Sequence, residues 1–586
     1  MEISTIGRPR NVGWLRAAAL LYGDWGTSKA YTIGLALFFV GYAALPHLLA
    51  VCLVTAVVGV NYIWLCRCYA TGGGVYTAAG RHSRRLAMIG GLLLLADFIV
   101  TASLSCLDGF HYLGFGHAEA KKWAITAIFA IGALNFFGPK HTGSVAIWLA
   151  LPMLLVVAAL IGGGVPHLKD FHALPPSGGF FHNWEAFVGM ILALSGVEVA
   201  ASSTGVLKLD PDSTPDTPSV YLTARRAILV VMFEIVVATS LICVMAMCLP
   251  AGAKDHQDDL LRYMGGEFFG AQVAAVIGWI IGLLLLSAVN TAIGGMVALL
   301  YVMARDGELP DQFLQLNQHG VPWLALMFAT IFPVVVLNVD DSVSGLAALY
   351  AIGVVGAVAI NLGSCAFAKQ IPLKPRERKI MKATFFFLVA VWVTIALTKL
   401  GALLFVVVIL AAGLGVREAT SRYRRNQPQP APLSMDLAMP QAAAPPPPPS
   451  GEPFLGRLIL VAARGWTPAL QFALDEARAR SARLLVLYVR EVALAVDPGG
   501  DWRKDPSARE LFSRLETEPH GVQLQKLYSV SDSPADTIID IAATFGVDAV
   551  ILGGSRRAAL VNLLKGNVVS RVAGQLPEPI RLVVIG

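Results

Sequence analysis

From about Trp14 to Val416 the chain is a succession of apolar stretches of about twenty residues, separated by short polar loops, and this limits its fold more than any other feature. Stretches of that length match the hydrocarbon thickness of a bilayer, where each backbone amide must find its partner within its own segment. They are therefore expected as helices. Spans can be drawn around residues 15–43, 46–65, 87–112, 123–138, 144–163, 185–206, 226–249, 269–303, 321–338, 343–367, 383–398 and 400–416, about twelve in all. Of the 586 residues, 56% are hydrophobic and 14% charged, with a mean hydropathy of +0.64. A soluble protein of this size does not have that balance.

Topology accounts for the net charge of +6 without nucleic acid as a partner. A cytoplasmic N-terminus puts Arg67, Arg81, Arg84, Arg85, Lys140, Lys208, Arg225, Arg226, Arg305 and the cluster Lys369 to Lys382 inside. The outer loops then keep Lys121, Lys122, Lys169, Lys254, Arg262 and Lys399. The positive-inside rule predicts a multi-pass protein of the cell's inner (plasma) membrane, surrounded by lipid, with both termini cytoplasmic. Met1 to Gly13 lack a small-residue cleavage site, so the first span is expected to be retained. The seven cysteines lie in or beside apolar spans, with neither disulfide nor zinc spacing, and read as packing residues.

After Val416 the character changes. Arg417, Arg422, Arg424 and Arg425 close the last span, and residues 417–452 read as a basic, then proline-rich linker ending near the run Pro445 to Pro449. Residues 453–586 carry five short strand patterns, at 458–462, 484–489, 522–528, 547–552 and 580–585. Helical patterns at 467–480, 506–516, 533–544 and 560–573 alternate with them, which predicts a parallel sheet covered on both faces. The expected organisation is an all-α membrane domain, 1–416, then the linker and an α/β domain.

Within the spans, ionisable side chains need a physical reason to be where they are. Asp24 lies in Tyr22-Gly23-Asp24-Trp25-Gly26-Thr27-Ser28-Lys29-Ala30-Tyr31, where Gly23 and Gly26 are expected to break the helix at mid-membrane. Asp97 is equally deep in the third span, with Thr101 one turn along the same face. Glu198 follows Gly196, a second expected break in the sixth span. Breaks in the first and sixth spans are what a duplicated, inverted half produces. A desolvated carboxyl can be neutral in an empty site and ionised beside a cation, which is the requirement for coupling protons to cations. Lys29, about a turn and a half from Asp24, either closes this site by an internal ion pair or faces the inner vestibule.

The segment Tyr22 to Tyr31 resembles the first-span signature of the KUP-type potassium uptake family, and an Asp followed seven residues later by Tyr recurs in its KimA-like branch. Gly72-Gly-Gly-Val-Tyr76, Ser195-Gly-Val-Glu198, the stretch from Asn290-Thr291 to Ala304-Arg-Asp-Gly-Glu-Leu-Pro310, and Leu349-Tyr-Ala-Ile-Gly353 resemble the wider amino acid, polyamine and organocation (APC) superfamily. The resemblance covers roughly 15–415. It implies a LeuT-like five-plus-five inverted repeat with two extra helices. It also implies a site for a potassium ion near Asp24, Tyr31 and Glu198, completed by Ser195 and Tyr350, with Asp97 and Thr101 close by. Asp97-Phe-Ile-Val-Thr101 is similar to the KimA-like pattern Asp-Tyr-Ile-Leu-Thr. Lys29 departs from both branches, and Ser195 stands where Thr is usual.

The C-terminal domain resembles the universal stress protein fold, including Ser533-Pro-Ala-Asp536 and the glycine-rich segment after the fourth strand. That family's nucleotide loop, Gly-x2-Gly-x9-Gly-Ser/Thr, is here Gly553, Arg556, Gly566 and Asn567, and Arg464 replaces the usual Asp at the end of the first strand. These five residues are candidate anion or nucleotide contacts, in a domain that reads foremost as a degenerate regulatory or dimerisation module. In KimA-like transporters the corresponding domain dimerises and binds a cyclic dinucleotide, so the resemblance implies a homodimer.

The leading expectation is a secondary active transporter importing potassium with protons. A proton-coupled amino-acid or amine permease, with Asp24 holding an ammonium, stays open. So does a membrane sensor that transports nothing and binds nucleotide in its cytoplasmic domain. No constellation of nucleophile, base and orienting group is present, so neither enzyme activity nor a cofactor is expected.

Overall fold

The computed structural model describes residues 4–6, 10, 12–70, 72, 74–138, 143–194, 196–213, 218–426, 458–493, 501–518, 520–554, 562 and 565–586. The membrane part consists of α1 (Trp14–Trp25), α2 (Ser28–Val40), α3 (Ala44–Cys68), α4 (Val75–Gly80), α5 (Arg84–Tyr112), α6 (His117–Phe136), α7 (Gly143–Gly164), α8 (Phe180–Gly189) and α9 (Val197–Ser202). It continues with α10 (Tyr221–Ala246), α11 (Leu260–Phe269), α12 (Ala271–Arg305), α13 (Trp323–Val339), α14 (Val343–Phe367), α15 (Pro375–Thr398) and α16 (Leu400–Asn426).

Among the described residues, eight helical stretches are long and apolar enough to cross a membrane, so the expected count of twelve is not confirmed on that measure. The longest, Trp14–Cys68, is 55 residues and covers α1 to α3. At about 1.5 Å per residue it is more than twice the hydrocarbon thickness, and so crosses it twice. The stretches that fall short have visible causes. α6 carries Glu119, Lys121 and Lys122 near its start, α13 is shorter, and the sixth span is divided between α8 and α9.

The last helix does not stop at the basic cluster expected to open the linker; α16 runs on through Asn426. Its sequence there, Arg-Glu-Ala-Thr-Ser-Arg-Tyr-Arg-Arg, favours helix, and two of its arginines are anchored. Arg417 pairs with Glu308 just beyond α12, and Arg424 reaches Asp311 at 2.6 Å.

The α/β domain follows its pattern closely. Strands β2 (Leu458–Ala462), β3 (Arg483–Glu491), β4 (Leu524–Ser531), β5 (Ala549–Gly553) and β6 (Arg581–Ile585) pair in parallel. Alternate strand residues enter different cores, as period-2 geometry requires. Val461, Leu484 and Val486 meet the helices α17 (Pro468–Ala479) and α18 (Pro506–Thr517). Leu460, Leu485 and Leu487 meet α19 (Pro534–Phe545) and the helix Val568–Gln575.

One strand lies outside the expectation. Residues Ser4–Ile6 form β1, which pairs in parallel with β4 from Leu527 to Ser529. The sheet therefore has six strands in the order β1-β4-β3-β2-β5-β6, with its first edge supplied from before the membrane bundle. The α/β domain also touches the loop between α12 and α13. The Ala493 amide donates to the Gly320 carbonyl at 2.9 Å, and Lys565 Nζ donates to the His319 carbonyl at 2.6 Å and to Glu491 at 2.7 Å.

Candidate functional site

The first span breaks where α1 ends at Trp25 and α2 begins at Ser28. Gly23 is not part of that break, contrary to expectation, because it sits inside α1; the hinge is Gly26-Thr27. The break is a tight turn rather than an unwound loop, since Gly26 and Thr27 both keep near-helical backbone angles. Local side chains satisfy two of the carbonyls there: Thr27 Oγ1 donates to Asp24 O at 2.5 Å and Ser28 Oγ to Trp25 O at 2.8 Å.

The second break faces the first. Gly196 has φ +87°, a left-handed conformation that favours glycine, and a Cβ there would run into the backbone of Trp25. Two broken spans pressed together at their breaks are the arrangement that an inverted repeat places around a midplane site.

Asp24, Asp97 and Glu198 gather at this junction with Tyr31 and Tyr350, all 4% exposed or less. Asp97 and Glu198 interact electrostatically with each other and with Asp24. Tyr31 and Tyr350 meet edge to face, with ring centroids 6.5 Å apart. Glu198 Oε1 accepts from the Gly196 amide at 3.2 Å. Asp24 Oδ1, Asp97 Oδ1, Glu198 Oε2 and the Tyr350 hydroxyl have no protein partner. Thr101 spends its hydroxyl proton on the Asp97 carbonyl at 2.8 Å, which leaves its oxygen lone pairs as acceptors. Gly353 lets α14 lie against the Asp97 backbone; a Cβ there would be 3.1 Å from the amide nitrogen. Ser195, expected among these groups, lies outside the described residues.

Lys29 does not pair with Asp24. Its buried ammonium is held by Glu234 of α10, at 2.7 and 2.9 Å, and by the Tyr22 hydroxyl at 3.1 Å. Glu234 was not among the expected residues, although a lone carboxylate in Val-Val-Met-Phe-Glu-Ile-Val-Val carries the same signal that singles out Asp97. Among the described residues, none of the three central carboxyls is in an ion pair. The junction presents carboxyl and phenol oxygens and no fixed positive charge.

A family model described as amino acid permease matches residues 12–422, more than half of the chain. The chain belongs to that family. A second model, the universal stress protein family, matches residues 459–583. The permease region is similar to an amino-acid permease labelled probable from Schizosaccharomyces pombe, 27% identical over 35% of this chain and 42% of that protein. It is also similar to the L-asparagine permease of Escherichia coli, 24% over 38% and 46%, and to the potassium transporter KimA of Bacillus subtilis, 25% over 58% of each chain. The chain thus spans about half the length of the curated relatives it matches. Among solved structures, a mutant manganese transporter from Eremococcus coleocola covers 70% of this chain and 94% of its own at 12% identity, with a TM-score of 0.46, too loose a likeness to argue from.

In the α/β domain of this permease-family protein, Arg464 pairs with Glu491 at 2.7 Å, and Glu491 also binds Lys565. The guanidinium placed in the expected anion site is thus already bound to a carboxylate. Asn567 caps the helix Val568–Gln575 by accepting from the amides of Val569 and Ser570. Gly553 closes β5, and Gly566 takes a left-handed φ of +76°. Arg556 lies outside the described residues.

Proposed function

We propose that this permease-family protein is a secondary active transporter that imports potassium together with protons, with its α/β domain in the cytoplasm as a regulatory or dimerising module. The observation that carries the reading is the convergence of Asp24, Asp97 and Glu198, with unpartnered oxygens, while the nearby ammonium of Lys29 is taken up by Glu234. Three carboxyls in one junction can hold a proton on one and a cation beside the others, so that proton and cation are carried inward together. Tyr31, Tyr350 and Thr101 supply neutral oxygens for a dehydrated ion. The similarity to a potassium transporter over 58% of the chain agrees with this chemistry.

A second reading, an amino-acid or amine permease, draws on the other relatives and on the same carboxyls, which suit a substrate ammonium. A substrate carboxylate finds three acidic groups there and, among the described residues, no unpaired base. Uptake into proteoliposomes separates the two readings. Rubidium-86 should enter faster with an inward proton gradient, and Asp24→Asn should abolish that stimulation. Labelled amino-acid uptake without rubidium uptake would overturn the potassium reading.

A further inference from the structure

A second group of buried, unpaired oxygens lies along α5, on the side of the bundle away from the α/β domain. Asp97, Thr101, Asp108 and Tyr112 fall within about 60° of one another on that helix at 100° per residue, and Asp108 is about 16 Å further along than Asp97. Asp108 is fully buried, and neither of its carboxyl oxygens has a partner. One turn beyond it, the Tyr112 hydroxyl donates to the Ala30 carbonyl at 2.7 Å and accepts from the Leu261 amide at 3.5 Å. These bonds fasten α5 to α2 and to the start of α11. The segment leading into α11 lies on α2, because a Cβ on Gly34 would strike the Gln257 carbonyl. From that segment, Gln257 Oε1 and Asp258 Oδ1 are also buried without a partner. Asp108 interacts electrostatically with Asp258 on one side and with Tyr31 of the central junction on the other.

Most of the bases around this group are already engaged. Asp259 takes His256 at 2.8 Å and Arg262 at 3.9 Å, and Asp341 takes Lys121 at 3.0 Å and His117 at 3.4 Å. His111 stacks on His117, with ring centroids 5.7 Å apart, and its Nε2 is buried without a partner. A buried carboxylate without compensation costs several kcal/mol, so an ionised Asp108 calls for a cation beside it, and a proton takes that place when the site is empty. Among the described residues no three His, Cys, Asp or Glu side chains converge as a metal-ion site, which argues against a resident divalent ion.

We propose that Asp108, Asp258 and the Gln257 amide oxygen form a second binding site, for an alkali-metal cation, distinct from the one at Asp97 and Glu198. The site does not depend on which substrate the central junction carries. Equilibrium binding of rubidium-86 to the full-length protein in nanodiscs tests it. Asp108→Asn should weaken one class of binding by tenfold or more, and Asp258→Asn, in a partly exposed loop, should weaken the same class several-fold in a monodisperse protein. Glu198→Gln should leave that class in place. Binding curves of Asp108→Asn and Asp258→Asn that superimpose on wild type would overturn the proposal, as would displacement of that class by micromolar calcium. If Glu198→Gln changes nothing while Asp108→Asn weakens binding, the central cation reading fails and this one stands.

Discussion

Removing Glu234 tests most directly why the central junction is free of positive charge. The Lys29 ammonium is fully buried, and Glu234 is 18% exposed. Deleting one partner of a buried ion pair costs roughly 3–5 kcal/mol, and the partial exposure of Glu234 puts this pair near about 3 kcal/mol. At 1.36 kcal/mol per factor of ten, that is on the order of a hundredfold. Tyr22, whose hydroxyl lies 3.1 Å from Nζ and whose ring lies 4.8 Å below it, offers only a neutral partner. In Glu234→Gln the ammonium should turn towards the unpaired Asp24, where it competes with the cation. Rubidium uptake in proteoliposomes should then fall by roughly ten- to a hundredfold. Adding Lys29→Met removes the stranded charge, so the double variant should recover to within about threefold of wild type, a strongly non-additive cycle. Wild-type uptake in Glu234→Gln, or a double variant no better than the single, would refute the reasoning.

Gly196→Ala should leave little folded or active protein, since it costs about 1–2 kcal/mol for the left-handed backbone alone and also drives a methyl into Trp25. Fluorescence-detected size exclusion would read the loss. Tyr350→Phe should lower rubidium affinity several-fold while leaving the thermal unfolding temperature nearly unchanged, because its hydroxyl holds no protein group in place. Placing proline at both Thr5 and Ile6 removes the amide that β1 offers to β4. Hydrogen exchange over Leu527–Ser529 should then rise while α5 stays protected.

Much of this structure was legible in the sequence because the signals are local. Apolar run length marks the spans, and period-2 alternation marked all five strands of the α/β domain with close to their observed limits. Carboxyls in apolar helices pointed to Asp24, Asp97 and Glu198, which are all buried and interact electrostatically. The same rule reaches Glu234 and Asp108 once every span is read as strictly as the third. What stayed hidden depends on distant partners. Lys29 lies within a helical turn or two of Asp24, yet an α10 residue 205 positions later decides where its ammonium goes. Gly23 and Gly26 look alike in sequence; only Gly26 coincides with the hinge. A three-residue strand such as Ser4–Ile6 has too little pattern to announce itself, and its sheet is completed by residues near 527.

That strand also orders the birth of the protein. Ser4–Ile6 leave the ribosome long before Leu524–Ser531, and the whole bundle is threaded into lipid between them. For that interval the segment just ahead of α1 has nowhere to go, and β4, once made, has an open edge that templates any extended chain. Closure therefore fastens the start of the bundle to the last domain made, which turns the molecule from a string with two loose parts into a loop. A copy whose strand found the β4 of a neighbour instead would satisfy the same bonds and form a swapped pair. Because both forms make the same contacts, the high local concentration of a strand on its own chain favours the closed one.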